Sequence, residues 1–164
     1  MRILITGATG FIGKRLGVEL VRAGHEILVI SRSSEEARRQ LPFPCDIIEG
    51  DLMKGALQET RLAAVEGVVH LLGESIAGGR WTSSRKERIL KSRTVATRNL
   101  IESLHLSGAA ANLKVMVSSS GVGFYGDRGD DVLTEESSAP ASPDFLSKVC
   151  LEWEASALSA KNAF

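Results

Sequence analysis

The segment Thr6-Gly7-Ala8-Thr9-Gly10-Phe11-Ile12-Gly13 decides the fold of this chain of 164 residues. An apolar run typical of a β-strand precedes it at residues 2–5, and a helical pattern follows at residues 11–23. Its three glycines have the spacing GxxGxxG. A glycine motif placed between a strand and the next helix is typical of a loop that binds a dinucleotide. The segment therefore predicts a strand, a phosphate-binding turn and a helix, in that order.

Each glycine of the motif has a separate physical role. Gly7 permits the tight turn, Gly10 lets the backbone approach a pyrophosphate, and Gly13 lets the helix pack close to the strand. Free N–H groups and a partial positive charge at the start of the helix attract the same anion. We assign the rest of the loop to cofactor binding as well: Thr9, Phe11 and Ile12. A glycine-rich turn that binds no ligand is the alternative.

Apolar runs and helical patterns alternate along the rest of the chain. Further strands are predicted at residues 27–30, 46–49, 67–72 and 114–118, and further helices at 35–40, around 56–64, 82–106 and 145–160. Strands that are apolar on both faces and separated by helices form a parallel sheet covered on both sides. The pattern predicts one α/β domain over residues 1–164, a doubly wound Rossmann-type parallel sheet truncated after about five βα units. The sheet edge beside the fifth strand is expected to be unprotected.

Composition and charge exclude several classes of function. Lys and Arg together number 20, as do Asp and Glu, so the formal net charge is zero. A nucleic-acid coat or a polybasic membrane anchor needs an excess of positive charge, so we expect no nucleic acid and no membrane as partners. The apolar runs are too short to cross a bilayer, and no signal peptide is recognised.

Cysteine and histidine usage points to a reducing compartment without a metal site. Cys45 and Cys150 form no CxxC pair, so a disulfide framework is not expected. The three histidines have no metal-ligand spacing. We therefore expect the cytoplasm as the default compartment and no bound metal.

The end of the second strand indicates which dinucleotide is bound. An Asp or Glu about twenty residues after the glycine loop would accept hydrogen bonds from the ribose 2′-OH of NAD(H). This chain has Ser31-Arg32-Ser33 there instead. A guanidinium pairs well with a phosphate, so Arg32, with Ser31 beside it, predicts NADP(H) rather than NAD(H). An arginine that is simply solvated at the surface is the alternative.

The ends of the third and fourth strands supply the remaining cofactor contacts. Asp51 and Leu52 follow the third strand and either touch the adenine or, through Asp51, cap the next helix. Leu72 and Gly73 follow the fourth strand and are expected to line the ribose on the nicotinamide side. Glu74, the next residue, is assigned to the same site.

Several motifs together resemble a known family. They are TGATGFIG at residues 6–13, HLLGE at 70–74 and VSSSGVGFYGD at 117–127. In combination they resemble the extended short-chain dehydrogenases/reductases, the NAD(P)-dependent epimerase/dehydratase-like group. A narrower match is a poorly characterised epimerase subfamily marked by GE-IAG-RW, which reads GESIAGGRW at residues 73–81. The resemblance implies a nicotinamide dinucleotide and oxidoreductase or epimerase chemistry on an unknown small substrate. It covers the N-terminal part of the family only, without the C-terminal substrate lobe.

The resemblance also implies a catalytic set, of which one member is missing. The wider family uses a Ser that holds the substrate oxygen, a Tyr that exchanges its proton, and a Lys that lowers the tyrosine pKa and binds ribose. Ser120 and Lys148 stand at the Ser and Lys positions, whereas Asp144 replaces the tyrosine. Tyr125 is the one tyrosine of the chain, and it either substitutes for the missing phenol or only packs in its loop. Asp144 itself could act as the base instead, although a carboxylate is too acidic for efficient exchange with an alcohol unless it is buried. Lys148 either binds ribose or is a solvated lysine.

The subfamily motif suggests a substrate site. Arg80 and Arg93 could bind an anionic group of the substrate, and Trp81 could wall the pocket. The alternative is a set of local ion pairs that orders the loop after the fourth strand.

Three functional hypotheses follow. The leading one is an NADP(H)-binding, epimerase-like short-chain dehydrogenase/reductase. The rival is a catalytically silent sensor or interaction protein that binds the dinucleotide. The third is a fragment whose exposed sheet edge is covered by a second copy of the chain, as a homo-oligomer.

Overall fold

A computed structural model describes residues 1–163. Five strands and four α-helices form the framework: β1 Arg2–Thr6, α1 Phe11–Arg22, β2 Glu26–Ser31, α2 Ser34–Gln40, β3 Asp46–Glu49, β4 Gly67–His70, α3 Ser83–Leu106, β5 Val115–Ser118 and α4 Phe145–Leu158. Short 3-10 helices lie between or after them at Thr60–Ala64, Ala109–Ala111, Val122–Tyr125 and Ser159–Asn162.

The five strands form one sheet in the order β3-β2-β1-β4-β5, and all four pairings are parallel. The predicted doubly wound parallel sheet is therefore confirmed. The chain passes from β3 at one edge to β4 on the far side of β1, so the strand order reverses between β1 and β4. In such sheets the crevice at the carboxyl ends of these two strands is the usual ligand site.

Successive residues of the central strands supply two separate cores. Leu4 and Leu28 point to the face covered by α3, where they pack with Leu100. Ile5 and Val29 point to the opposite face, which α1 and α2 cover. Because the inner strands are buried on both faces, they consist of nearly continuous apolar residues, as parallel strands do.

The predicted helix around residues 56–64 is wrong. Only the 3-10 helix Thr60–Ala64 forms there. The Leu57 N–H donates to the Ser103 hydroxyl at 2.8 Å, a partner 46 residues away. The Glu59 carboxylate accepts from the Arg61 N–H at 3.1 Å and so begins the 3-10 turn. These contacts use backbone groups that an α-helix would have paired locally.

β4 is also shorter than predicted, because it ends at His70 rather than at residue 72. The Leu71 N–H still donates to the Thr6 carbonyl at 3.1 Å, and the chain then leaves the sheet.

β5 lies at the edge of the sheet, as expected. Its residue Met116 packs on the core under α3. Val115 and Val117 point to the other face and are 47% and 54% exposed. That a second copy covers this face stays a prediction.

No helix within residues 1–163 is both long enough and apolar enough to span a lipid bilayer.

Candidate cofactor site

The glycine loop joins the end of β1 to α1 and presses against the end of β4. Gly7 has a φ of +71°, a left-handed conformation that favours glycine. A Cβ at this position would lie 2.8 Å from the carbonyl carbon of Leu71. The Gly10 N–H closes the turn by donating to the Gly7 carbonyl at 3.0 Å. Gly7 therefore meets both the conformational and the steric demand of the turn.

The start of α1 is open to an anion. Gly10 is the N-cap residue and offers no side chain to the first N–H groups of the helix, so these remain available to a ligand. A Cβ on Gly13 would lie 2.6 Å from the Ala8 Cα, which explains why the helix can lie so close to the loop. A backbone cradle with no side chain over it, at a helix N-terminus, suits a pyrophosphate.

A cleft of about 520 Å³ extends from this loop across the carboxyl ends of β1, β2, β3 and β4. Ten of the residues predicted to bind the cofactor line it: Gly7, Thr9, Gly10, Ser31, Arg32, Asp51, Leu52, Leu72, Gly73 and Glu74. The size falls in the range of small-molecule sites. The fold thus brings four separate stretches of sequence to one place.

Three predicted residues of the loop lie outside the lining of the cleft. Gly13 is buried beneath the loop, where it has a packing role. Phe11 is 95% exposed and Ile12 is 62% exposed. These two apolar side chains are presented to solvent at the first turn of α1.

The end of β2 presents a cation without a carboxylate partner. Arg32 is exposed and forms no ion pair with any described residue. Its neighbours are already engaged, since the Ser31 hydroxyl donates to the Ser33 carbonyl at 3.1 Å and the Ser33 hydroxyl accepts from the Glu36 N–H at 3.2 Å. At this strand end Arg32 is therefore a guanidinium that no ion pair within residues 1–163 occupies.

Asp51 shapes the adjoining turn after β3. Its carboxylate accepts from the Met53 N–H at 3.0 Å. No α-helix follows it, so the alternative in which Asp51 caps a helix is wrong. Leu52 is buried in the core below, at 1% exposure, and Met53 completes this wall of the cleft.

The loop after β4 is held by groups from α3. The Ser92 hydroxyl accepts from the Glu74 N–H at 2.9 Å, and the Arg93 guanidinium donates to the Glu74 carbonyl at 3.1 Å. Arg85 donates to the Ser75 carbonyl at 2.6 Å and lies 3.8 Å from the Glu74 carboxylate. Burial lowers the pKa of Arg93, and nearby Cys150 and Glu74 act in the opposite direction. The geometry therefore matches the alternative in which these charges order the loop.

Trp81 ties the same loop to α4. Its indole N–H donates to the Ile76 carbonyl at 2.9 Å, and its ring meets the Phe145 ring edge-on with centroids 5.5 Å apart. Arg80, its neighbour, is exposed and has no ion pair among residues 1–163. Of the three residues assigned to substrate binding, Arg93 and Trp81 donate side-chain hydrogen bonds to backbone carbonyls of the loop. The Arg80 side chain makes no such bond in the described chain.

The predicted catalytic residues do not contact one another by any hydrogen bond in the described chain. The Ser120 hydroxyl donates to the Glu154 carboxylate on α4. Lys148 is exposed, and Tyr125 is half-buried with its ring against Phe124. A shared proton-transfer unit of Ser120, Tyr125 and Lys148 is therefore not assembled in this structure.

Asp144, at the position of the missing tyrosine, is the N-cap of α4. Its carboxylate accepts from the Ser147 N–H at 2.8 Å. This backbone hydrogen bond lowers the pKa of Asp144 below its usual value. A carboxylate with a lowered pKa is a weaker base, so the geometry gives Asp144 a structural task.

Sequence reasoning missed several residues at or beside the cleft. Glu36, Gln40, Met53 and Arg88 line it, and Glu154 and Cys150 lie next to Ser120. Arg85, which holds the loop after β4, was missed as well, although it lies only four residues after Trp81 of the GE-IAG-RW segment. Met53 lies in the turn after β3, and the rest are brought to the site by helix packing that no short motif reveals.

Comparison with known proteins relates this site to a family. The profile of the NAD dependent epimerase/dehydratase family matches residues 3–164. The chloroplastic homolog of epimerase family protein SDR39U1 from Arabidopsis thaliana is 37% identical over 164 residues, which cover 98% of this chain and 45% of the relative.

Two solved structures share the fold. The human epimerase family protein SDR39U1 (isoform 2) with NADPH has a TM-score of 0.74 at 31% identity, covering 96% of this chain and 48% of that one. MoeE5 in complex with UDP-glucose and NAD has a TM-score of 0.74 at 27% identity, covering 98% of this chain and 49% of that one. The chain spans about half the length of the curated relatives it matches. Since the family profile covers almost every residue, and the glycine loop lies where a dinucleotide site requires it, the chain belongs to the NAD dependent epimerase/dehydratase family.

Proposed function

We propose that this chain is the NADP(H)-binding part of an epimerase-like short-chain dehydrogenase/reductase that acts on a small substrate. The observation that carries the proposal is the cleft itself. It joins the open helix N-terminus at Gly10 to Arg32, a cation that has no carboxylate partner among the described residues. The SDR39U1 structure contains NADPH and the MoeE5 structure contains NAD, which supports a nicotinamide dinucleotide as the ligand class.

The donor groups in the cleft suit the separate parts of NADP(H). The N–H groups after Gly10 would bind the pyrophosphate, and Arg32 would bind the 2′-phosphate. Met53 offers an apolar surface to the adenine, and Leu72 and Gly73 line the side expected for the nicotinamide ribose. A bound nicotinamide supplies hydride transfer, which the side chains cannot perform themselves.

NADP(H) is preferred because β2 ends without an acid. A carboxylate there would hydrogen-bond the 2′-OH and repel a 2′-phosphate. Glu36 of α2 also lines the cleft, and it already accepts from the Gln40 amide at 2.8 Å. Arg32 is thus left as the charge that meets the ribose.

On the substrate side, Ser120 is the group best placed to hold a substrate oxygen. It is exposed just beyond β5, whose carboxyl end lies beside that of β4. Its hydroxyl proton is directed to Glu154, so an oxygen bound at Ser120 would share a hydrogen-bond chain with that carboxylate. The two free cysteines, Cys45 and Cys150, are compatible with a reducing compartment, and we propose the cytoplasm.

A silent dinucleotide sensor is the second candidate, and Asp144 favours it. The residue in the tyrosine position is engaged as a helix cap, and Lys148 contacts no cofactor-cleft residue by a hydrogen bond or ion pair in the described chain.

Oxidation of NADPH by a panel of carbonyl compounds and sugar nucleotides distinguishes the two candidates. An enzyme gives saturable turnover that falls in Ser120→Ala while NADPH affinity is unchanged. Saturable NADPH binding without turnover over the whole panel supports the sensor and contradicts the enzyme.

A further inference from the structure

We propose that Arg88 of α3 is a second cation of the cleft and that it binds the pyrophosphate of the cofactor from the opposite side to the glycine loop. The inference rests on the proposed binding of NADP(H). It assigns a ligand group to a residue that no motif in the chain singles out.

The charges that line the cleft divide into two groups. Its three carboxylates each have a donor nearby. Asp51 accepts from the Met53 N–H at 3.0 Å, Glu36 accepts from the Gln40 amide at 2.8 Å, and Glu74 lies 3.8 Å from an Arg85 nitrogen.

The two cations that line the cleft, Arg32 and Arg88, have no carboxylate partner within residues 1–163. Arg88 is exposed, and its one side-chain hydrogen bond in the described chain is to the Ser84 hydroxyl at 3.3 Å. A guanidinium with a single long contact can turn to an anionic ligand without breaking an ion pair. Because guanidinium groups pair with phosphate oxygens in a bidentate way, a phosphate is the ligand group that fits.

The position of Arg88 in the fold indicates which phosphate group of NADP(H) it would bind. β1, with the glycine loop at its end, is the central strand of the site, and β2 and β4 lie on either side of it. Arg32 follows β2. Arg88 belongs to the β4 side, since Ser92, one turn further along α3, accepts from the Glu74 N–H in the loop after β4.

The end of β2 is two strand spacings, about 10 Å, from the end of β4. The 2′-phosphate is expected at β2 and the pyrophosphate at β1, so the pyrophosphate is the nearer group for Arg88. α1 covers one face of the sheet and α3 covers the other. The helix N-terminus and Arg88 would therefore approach the pyrophosphate from opposite faces.

The test measures the dissociation constants of NADPH and NADH for the wild-type chain, Arg88→Gln and Arg98→Gln. Arg98 is a matched control, because it is exposed on the same helix, has no ion pair in the described chain and does not line the cleft. Both cofactors contain the pyrophosphate and only NADPH has the 2′-phosphate. Loss of one charged hydrogen-bonding group predicts that Arg88→Gln weakens both cofactors by the same factor, roughly tenfold. Arg98→Gln leaves both constants unchanged.

The other outcomes overturn the assignment in distinguishable ways. Unchanged constants in Arg88→Gln mean that Arg88 does not bind the cofactor. If Arg88→Gln weakens NADPH but not NADH, Arg88 binds the 2′-phosphate and not the pyrophosphate. If the wild-type chain binds neither cofactor, the proposed function fails together with this inference. The thermal unfolding midpoint of each variant is measured in parallel, and Arg88→Lys, which keeps the charge, is expected to recover part of the affinity for both cofactors.

Discussion

The imidazole Nδ1 of His70, at the end of β4, lies 2.6 Å from the hydroxyl oxygen of Thr6, at the end of β1. On the other side of the ring, Nε2 lies 2.9 Å from the Thr97 hydroxyl of α3, which donates onward to the Arg93 carbonyl. The Thr97 hydroxyl therefore accepts a hydrogen bond from the Nε2–H, and Nδ1 accepts one from the Thr6 hydroxyl. A single hydrogen-bonded chain thus links the residue before the glycine loop to the helix that holds the loop after β4.

His70 makes the stability of the fold dependent on pH. Burial lowers its pKa from 6.5 to about 4. The unfolded chain therefore binds a proton more readily than the folded chain, and the free energy of unfolding falls as the pH drops from about 6.5 towards 4. From pH 7 to pH 5 the titration of His70 alone should lower the free energy of unfolding by about 2 kcal/mol. Urea denaturation at both pH values measures this change.

Variants separate this effect from the titration of carboxylates. His70→Gln should lose about 2 kcal/mol of that pH dependence, because no imidazole titrates at the site. His105→Gln, at an exposed histidine of α3, should keep it. The same pH dependence in His70→Gln as in the wild-type chain would show that His70 is not its source.

Gly17 tests how closely α1 packs on the chain after α2. A Cβ at Gly17 would lie 2.1 Å from Cε1 of Phe43, whose ring is buried. Helix propensity alone predicts that Gly17→Ala adds about 1 kcal/mol of stability. Overpacking against the ring predicts instead that the free energy of unfolding falls by roughly 1–2 kcal/mol. The sign of the measured change therefore shows which of the two effects is larger.

The matched control for this variant is Gly55→Ala, where nothing lies within 4 Å of an added Cβ. It should change stability far less than Gly17→Ala. The double variant Gly17→Ala/Phe43→Leu should regain part of the loss. A stabilised Gly17→Ala single variant is the result that the packing described here does not allow.

Arg93 and Arg80 are expected to differ in their effect on stability. Arg93 donates to two backbone carbonyls, those of Glu74 and Ile89, and its guanidinium lies over the Trp153 ring. Removing it takes the donor from the Glu74 carbonyl and the cation from the Trp153 ring, so Arg93→Ala should cost about 2–3 kcal/mol in urea denaturation. Arg80→Ala should change stability by less than about 0.5 kcal/mol. Equal effects would mean that Arg93 does not order the loop.

The open edge of β5, together with its exposed valine side chains, is expected to support association of two chains. Lys114 N–H donates to the neighbouring Glu66 carbonyl, which leaves the backbone groups of Val115 and Val117 directed away from β4. The strand itself carries no charged residue of the kind that usually protects an edge. The zero net charge of the chain gives no long-range repulsion between copies.

Analytical ultracentrifugation over a range of concentrations measures this association. Val117→Lys should shift the chain towards the monomer, whereas Val132→Lys, at a residue that is 92% exposed outside the sheet, should not. A wild-type chain that is monomeric at every concentration rules out the association.

The parts of the fold that short-range patterns determine could be predicted from the sequence. The glycine loop and the strands β1, β2 and β3 agree closely with their predicted positions, because short apolar runs bounded by turns identify buried parallel strands. The segment after β3 could not be predicted in this way. Its Leu57 N–H pairs with Ser103, a residue far along the chain, and a helical composition does not reveal such a contact.

In the candidate site, too, some residues could be placed from the sequence and others could not. Residues next to strand ends, such as Arg32 and Gly73, lie together in the cleft, since parallel topology brings strand ends together; that they bind the cofactor stays a prediction. Residues carried by helices could not be placed without the packing angle. Arg88 of α3 lines the cleft, and the Ser120 hydroxyl donates to Glu154 of α4, although neither contact was predicted.

Isothermal titration calorimetry of the wild-type chain and Arg32→Gln with NADPH and NADH measures whether Arg32 makes the chain prefer NADP(H) over NAD(H). The wild-type chain should bind NADPH at least about tenfold more tightly than NADH, because a guanidinium–phosphate pair is a strong charged interaction. Arg32→Gln should remove that difference and leave NADH affinity unchanged. Equal affinities in the wild-type chain would show that it does not prefer NADP(H), and a preference for NADPH that survives Arg32→Gln would show that Arg32 does not bind the 2′-phosphate.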